Sequence, residues 1–305
     1  MLDVTYLTKL CGVSRSGYYN WRKTTQPNQA LAEQQDQAAF EWILKAYQYR
    51  GYQKGYRTIH MLLLQWAVHM NTKKVRRLMR KYNLRCSVRR RNPYKVARAK
   101  FSRAHVSPNH VQRQFKAFGP RIILLTDITY IPYGRGQMAY MNTVKDAYTN
   151  EILAYTISTQ LGMDFVIECM NDLTATHGIS LSQNTIIHSD QGSHYTSIQF
   201  QALLKHHRLI QSMSRKGNCW DNAPQESFFG HMKDHLKLED IDDIEDVKTA
   251  IVDFVDYYNN DRPQWKLAKL TPSQYYQFHQ TGVYPLDHLI KTPELPAVRT
   301  MELSI

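Results

Sequence analysis

Residues 121–133 read RIILLTDITYIPY, an apolar, β-branched run that carries one acid, Asp127, near its polar end. Such a density of Ile, Leu, Thr and Tyr predicts a buried central strand. Moving outward, QMAYMNTVKDAY and NEILAYTIS form two further strands around a turn at Thr149-Asn150. MDFVIECMNDLT (163–174) reads as a helix with Phe165, Val166, Cys169 and Leu173 inward, and NTIIHSD (184–190) as a short strand with Asp190 just past its end. Residues 197–208 read as a helix and LIQSMS as another strand. Three early strands followed by alternating helix and strand predict one mixed α/β sheet flanked by helices.

Acids just past strand ends are where α/β sheets place their chemistry. An aspartate in or beside a buried strand is costly unless it is paired or metal-bound. Taken singly, Asp190 in SDQGS also suits a turn. A third acid sits in GNCWDNAPQESFFGHMKDHL (217–236). Asn222 with Gln225 three residues on makes a capping-box pattern, and Pro224 suits a first helical turn. Phe229, Met232 and Leu236 then form an apolar stripe, with Glu226 about 60° to its side. Alone, Glu226 also reads as a solvated first-turn acid favoured by the helix dipole. Three carboxylates converging from two strands and a helix would bind two divalent cations about 3.5–4 Å apart, as phosphoryl-transfer sites do. Hard oxygen ligands select Mg²⁺ or Mn²⁺ over zinc. Spacing alone does not single these three out of 26 acids.

The charge is divided along the chain. Of 305 residues, the first 118 hold 24 Lys+Arg against 4 Asp+Glu, and the remainder 15 against 22, for a net charge of +13. A basic half joined to a mildly acidic half suggests a polyanion-binding part and a part with another task. Residues 73–103 hold fourteen Lys/Arg and no acid, whereas a merely solvated face mixes signs. The run lacks a wide apolar face, which argues against a membrane surface and for phosphate neutralisation.

Residues 5–22 read TYLTKLCGVSRSGYYNWR. Leu7 and Leu10 sit at helical spacing, Gly12 breaks the helix and Ser14 can cap a second, a helix-turn-helix pattern shared with many small helical hairpins. A helix over 36–49 presents Phe40, Ile43, Leu44 and Tyr47. After GYQKGYRT another carries Ile59, Leu62, Leu63 and Trp66, and a third, capped by Asn71 or Thr72, turns Val75, Leu78 and Met79 inward. Lys73, Lys74, Arg76, Arg77, Arg80 and Lys81 cover most of the rest of that third helix, as a recognition helix requires. Arg89, Arg90 and Arg91 continue the basic run into an extended segment, and Arg215 and Lys216 lie in the polar loop before Glu226, where they could position a substrate. The reading divides the chain into a helix-turn-helix (1–30), a second, basic one (36–86), a basic linker (87–118), a catalytic core (119–280) and a poorly ordered tail (281–305) with Pro285, Pro293 and Pro296.

A 43% apolar content excludes general disorder. No window approaches the roughly 18 unbroken apolar residues of a membrane span, and MLDVTYLTKL lacks the basic start and apolar stretch of a secretory signal. Cys11, Cys86, Cys169 and Cys219 form no CxxC and read as reduced cytosolic thiols.

TDITYI, HSDQGSHYTS and SRKGNCWDNAPQESFFGHMKDH resemble the integrase-core (DDE) transposases of bacterial insertion sequences, most closely the OrfB-type product of the insertion-sequence-three family. Asp190 and Glu226 are separated by 35 residues, the spacing of that family's acidic triad. YYNNDRPQWKLAKLTPSQY (257–275) is similar to its downstream YN…R…L…L-x-P signature. GYRTI and NTKKVRRLMRKYNLR are similar to the helix-turn-helix segment that precedes the core. The resemblance spans nearly the whole chain, from residue 5 to 280. It implies an RNase H-like core preceded by all-α helix-turn-helix units, with Asp127, Asp190 and Glu226 as ligands of two Mg²⁺ or Mn²⁺ ions. It further implies cleavage of DNA at the element's terminal inverted repeats and transfer of the freed 3′-hydroxyl to target DNA. The resemblance points to a homo-oligomer on DNA, alone or with an upstream OrfA-type subunit, in the bacterial cytoplasm at the nucleoid. No zinc is expected, because His105 and His110 have no cysteine pair. Asp261 stands where the family more usually has a basic residue.

Two alternatives stay open: a non-catalytic, sequence-specific DNA-binding regulator derived from a transposase, and a structure-selective nuclease on the same fold. Other residues have two readings. His188 points to the same side of its strand as Asp190 and is either a phosphate contact or a satisfied core histidine. Trp220 reads as a core plug, Tyr257, Tyr258 and Arg262 as a helix anchor, and Asp146 as turn chemistry.

Overall fold

A computed structural model describes residues 3–86, 106–182, 184–215 and 222–301. The chain divides into two compact units, residues 1–86 and 87–305.

The first unit is helical. Helices α1 (Val4–Leu10) and α2 (Arg15–Asn20) meet at Gly12, whose φ of 65° needs no Cβ, and Ser14 caps α2 by accepting the Gly17 N–H at 3.0 Å. No break then separates α2 from α3 (Gln26–Gln48), so the helix read over 36–49 begins already at Gln26. Pro27 has no N–H to offer, and its ring crowds the carbonyl of Lys23. A π turn over Trp21–Thr25 widens the helix at that place and lets it continue. Helices α4 (Tyr56–Gln65) and α5 (Thr72–Lys81) complete the unit, with the Asn71 side chain capping α5 through the Lys73 N–H at 2.8 Å. Ile43 and Ala46 of α3, Ile59 and Leu62 of α4, and Val75 and Leu78 of α5 form the core. Leu10, Tyr19 and Trp21 are exposed and take no part in it.

The second unit is built on a five-stranded sheet of order β3-β2-β1-β4-β5. Strands β1 (Ile123–Tyr133), β2 (Gln137–Asp146) and β3 (Ile152–Ser158) form an antiparallel meander. Strands β4 (Ile186–Ser189) and β5 (Ile210–Met213) add parallel to β1, each after a helix: α6 (Asp164–His177) and α7 (Ile198–His206). Pairing of β1 with β4 covers only Ile123–Leu125, and beyond it β1 runs on with β2 alone. Asp127 therefore lies in mid-strand rather than at the strand's end, two residues past the point where β1 and β4 part. One sheet face buries Leu124, Val144 and Ile187 under α6 and α7. On the other, Ile123, Leu125 and Ile186 pack with Val111. Helix α8 (Ala223–His235) rests against β1, followed by α9 (Ile244–Asp256) and α10 (Pro272–Thr281).

Two boundaries differ from the sequence reading. Residues 106–118 are part of the second unit rather than a linker: the Met213 N–H reaches Pro108 O at 3.3 Å, His110 N–H reaches Ser212 Oγ at 3.0 Å, and Val111 is buried. The segment covers the open edge of β5, whose backbone groups otherwise lack partners. Residues 282–301 are not a loose tail. Tyr284 and Leu286 are buried, Arg299 N–H meets Ala117 O at 2.8 Å, and Met301 packs against the Val111–Ile123 cluster. Prolines straighten this strand of chain while its few apolar side chains hold it down. Among the described residues no helix is long and apolar enough to cross a membrane.

Candidate active site

Asp127 and Asp190 sit at the same end of the central parallel pair, Asp127 beyond the last β1–β4 contact and Asp190 directly after β4. Asp190 folds back on its own loop, its Oδ1 accepting the Gly192 N–H at 2.8 Å. A Cβ on Gly192 would stand 2.8 Å from that oxygen, so a larger residue there displaces the Asp190 carboxylate from this position. Asp127 is half-buried; its Oδ1 accepts the Ile128 N–H at 2.9 Å and its Oδ2 accepts Asn222 Nδ2 at 3.0 Å.

Glu226 lies in the first turn of α8 and faces solvent. Three contacts pin that turn to the sheet. Besides Asn222 on Asp127, Gln225 Nε2 donates to Thr143 Oγ1, and Lys145 Nζ donates to Pro224 O at 2.7 Å. Asp127 and Thr143 are ladder partners. The expected capping box is absent: Asn222 makes no side-chain cap bond, because donation of its Nδ2 to Asp127 and of Gln225 Nε2 to Thr143 turns both amide oxygens away from the first-turn N–H groups.

Burial raises the Asp127 pKa well above the usual carboxylate value, the Asp190 charge adds to this, and Glu226 contributes further against a small opposing effect of Lys233. Asp190 is raised too, by loss of surrounding water, with the Gly192 N–H and His194 opposing. A buried carboxyl raised further by two neighbouring acids marks a place where negative charge is poorly compensated. Among the described residues, no three His, Cys, Asp or Glu side chains stand close enough together to hold a metal ion. Asp127, Asp190 and Glu226 themselves offer only oxygen donors. In the first turn of α8, beside Asp127, Asn222 Oδ1 and Gln225 Oε1 are buried oxygens with no hydrogen-bond partner among the described residues. That donor set fits a hard divalent cation.

His188 is a core histidine, fully buried with Nδ1 2.9 Å from Ser212 Oγ. Arg215 is exposed after β5, while Lys216, Trp220 and Arg89, Arg90 and Arg91 lie outside the described residues. Asp146 is more than a turn residue: it accepts the Tyr148 and Thr149 N–H groups and forms a buried ion pair with Arg121 at 3.1 Å. Tyr257 and Tyr258 are buried anchors; the Tyr258 ring meets Phe228 edge-on, with Arg262 5.5 Å from its centroid.

On α5, Lys73, Arg76 and Arg80 are exposed and Lys74 half-exposed. Arg77 and Lys81, expected on the same outer surface, instead brace α3. Arg77 holds Asp36 through two 2.7 Å bonds, and Lys81 bridges Glu33 at 2.5 Å and Asp36 at 2.9 Å. The reason is helical register: both side chains face the acids of α3. Asn222, Gln225 and Lys233 escaped the sequence reading. Lys233 follows Glu226 by two helical turns, which was the available signal. Asn222 was hidden by the capping pattern it imitates.

The Integrase core domain family matches residues 119–219 and, in a second description under the same name, 207–272; the HTH-like domain family matches 34–92. The putative transposase InsK of insertion element IS150 from Escherichia coli is 35% identical over 225 residues, covering 72% of this chain and 76% of that protein. The chain belongs to the insertion-sequence-three family of transposases. A transposase-like protein of Haemophilus influenzae is 33% identical over 70% of this chain and 95% of its own length. Another family relative, transposase InsF of IS3A from Escherichia coli, is 28% identical over 90% of this chain and 93% of its own. The helix-turn-helix region followed by a mixed α/β, RNase H-like integrase core is the family's architecture. Among solved structures, the simian T-cell lymphotropic virus intasome matches with TM-score 0.44 at 15% identity, over 82% of this chain and 81% of that one. The HTLV-2 integrase catalytic core in complex with magnesium matches with TM-score 0.42 at 15% identity, over 53% and 99%.

Proposed function

We propose that this chain is a DDE transposase that binds the ends of its insertion sequence and catalyses metal-dependent strand cleavage and strand transfer on DNA. The observation that carries the reading is the meeting of Asp127 and Asp190 at the parting of β1 and β4, with the Glu226 helix pinned across the same ladder. Asp127, Asp190 and Glu226 are the proposed ligands of two Mg²⁺ or Mn²⁺ ions. Such ions, when bound, activate the attacking oxygen, first of water and then of the 3′-hydroxyl, and stabilise charge on the leaving oxygen. Asp127 supplies a carboxylate held by two hydrogen bonds in mid-strand, Asp190 one fixed by its own turn, and Glu226 one from the exposed side of the first turn of α8, near enough to raise the Asp127 pKa. The basic half recognises DNA: Lys73, Lys74, Arg76 and Arg80 face outward for the terminal repeat, while Arg77 and Lys81 support them from behind. Joining two element ends calls for at least two copies on DNA.

Strand transfer on short duplexes of the element's own ends, with Mg²⁺ or Mn²⁺, tests this. Joined product from the wild type and none from Glu226→Gln, with duplex binding retained, is the expected result. Salt-sensitive binding without joining by either protein, with or without an added upstream subunit, would favour the DNA-binding regulator.

A further inference from the structure

We propose that Asn222 is a positioning residue: its side-chain amide ties the Asp127 carboxylate to the helix that carries Glu226, and so sets the gap in which a divalent cation is held. The inference rests on the metal-dependent reading of the site given above.

The local sequence asks for something else. Asparagine ahead of Ala-Pro-Gln-Glu is a favoured helix cap, whose oxygen would accept a first-turn N–H. Asn222 forgoes this: its backbone, at φ −126° and ψ 17°, leaves the cap unmade. Its nitrogen instead stands 3.0 Å from Asp127 Oδ2. A residue that breaks a local rule without a local gain marks a site where something else is being held.

The orientation of the amide follows from the carboxylate. The opposite flip would set two oxygens face to face, so Nδ2 must point at Asp127. Oδ1 is then left buried and without a partner among the described residues, in a side chain only 6% exposed. Burying an amide oxygen unpaired costs free energy, and the bond to Asp127 is what the structure obtains in return.

The contact is one of three that run in parallel. Asn222, Pro224 and Gln225 meet Asp127, Lys145 and Thr143, so successive positions of one helical turn are laid across β1 and β2. Glu226 is the next residue. Asp127 is repelled by Asp190 and by Glu226, and a carboxylate under such repulsion turns away unless it is restrained. The backbone N–H of Ile128 holds Oδ1 from its own strand. Asn222 holds Oδ2 from the opposing element, and thereby couples two of the three acids.

Manganese titration of the full chain without DNA, followed by electron paramagnetic resonance alongside metal-free melting temperatures, provides the test. Asn222→Ala is expected to weaken manganese binding about 10–100-fold, as loss of a ligand-orienting partner does, while its metal-free melting temperature stays at the wild-type value. Asn222→Asp places a charge against Asp127, so its metal-free melting temperature falls at neutral pH and manganese restores it. Wild-type manganese affinity in Asn222→Ala overturns the proposal. So does a metal-free melting temperature that falls as far in Asn222→Ala as in Asn222→Asp, the mark of a plain structural prop. Asp127→Asn is the control. If it binds manganese as tightly as the wild type, the metal-site reading fails and this inference falls with it; if it loses binding while Asn222→Ala does not, the inference alone fails.

Discussion

Arg77 and Asp36 lie 41 positions apart and meet through two parallel hydrogen bonds of 2.7 Å, which fasten the basic helix α5 to α3. Bidentate pairing of this kind is strong and directional. It divides the basic residues of α5 into a bracing set and a reaching set.

Arg77→Ala is therefore expected to lower the thermal stability of the chain more than its DNA affinity. Arg80→Ala should do the reverse, reducing the dependence of log affinity on log salt by about 0.9 for each phosphate that is no longer neutralised. Melting curves and salt titrations of duplex binding separate the two. If Arg77→Ala flattens the salt dependence as much as Arg80→Ala does, the division is wrong.

The same pair governs acid stability. The Arg77 and then Lys81 hydrogen bonds hold the Asp36 carboxyl well below its usual value of 3.8. A depressed carboxyl pKa contributes stability that is fully present above the unfolded value and is lost as pH falls through the folded one. Wild type should thus lose stability faster than Arg77→Ala as pH is lowered below about 4, and acid melting curves would show the two converging.

Gly192→Ala brings a methyl group to the point 2.8 Å from Asp190 Oδ1. The Asp190 carboxylate has to swing away or its turn has to open, and strand transfer should fall by about 10–100-fold, the range for a displaced ligand support. Circular dichroism should show the fold retained. Unaltered strand transfer would mean that the turn does not set the carboxylate.

Lys145 and Lys116 are pushed down to about 7, in both cases by burial first, with Arg262 adding at Lys145 and Lys145 adding at Lys116. Both therefore release their protons at lower pH in the folded chain than in the unfolded chain. Since the unfolded state binds more protons between about pH 7 and 10.5, stability should rise with pH across that window. Lys145→Met removes part of the slope, which melting temperatures at pH 7, 8 and 9 would reveal; an unaltered slope counts against a buried ammonium at this position.

Much of the second unit was readable from residue order. Its strands are rich in apolar and β-branched residues and largely buried, so apolar runs were sufficient to find them, and Asp190 followed as the first residue after β4. The extent of β1 was readable, but the point at which β4 leaves it was not. Residues 126–133 keep the same composition while their neighbour changes from β4 to nothing, and composition does not register a missing partner. Segments 106–118 and 282–301 were misread because they hold to the core through isolated side chains such as Val111, Tyr284 and Met301, which carry no period. Of the candidate site, Glu226 stood out only through family resemblance. Asn222 fits a capping pattern equally well, since an amide can turn its oxygen to a helix end or its nitrogen to a carboxylate, and residue order does not say which. The ion pairs of Arg77 and Lys81 depend on how α5 sits on α3, which neither helix records alone.

From Arg15 to Gln48 the backbone stays helical, six residues, then five, then twenty-three, a rod about 50 Å long at 1.5 Å per residue. Such a rod transmits torque where a jointed connection would dissipate it. Roughly one and a half turns of duplex fit along its length, at about 34–36 Å per turn. Inserting or deleting one residue in the exposed first half of α3 therefore turns α2 by about 100° against α4 and α5, with no joint in between to absorb the change.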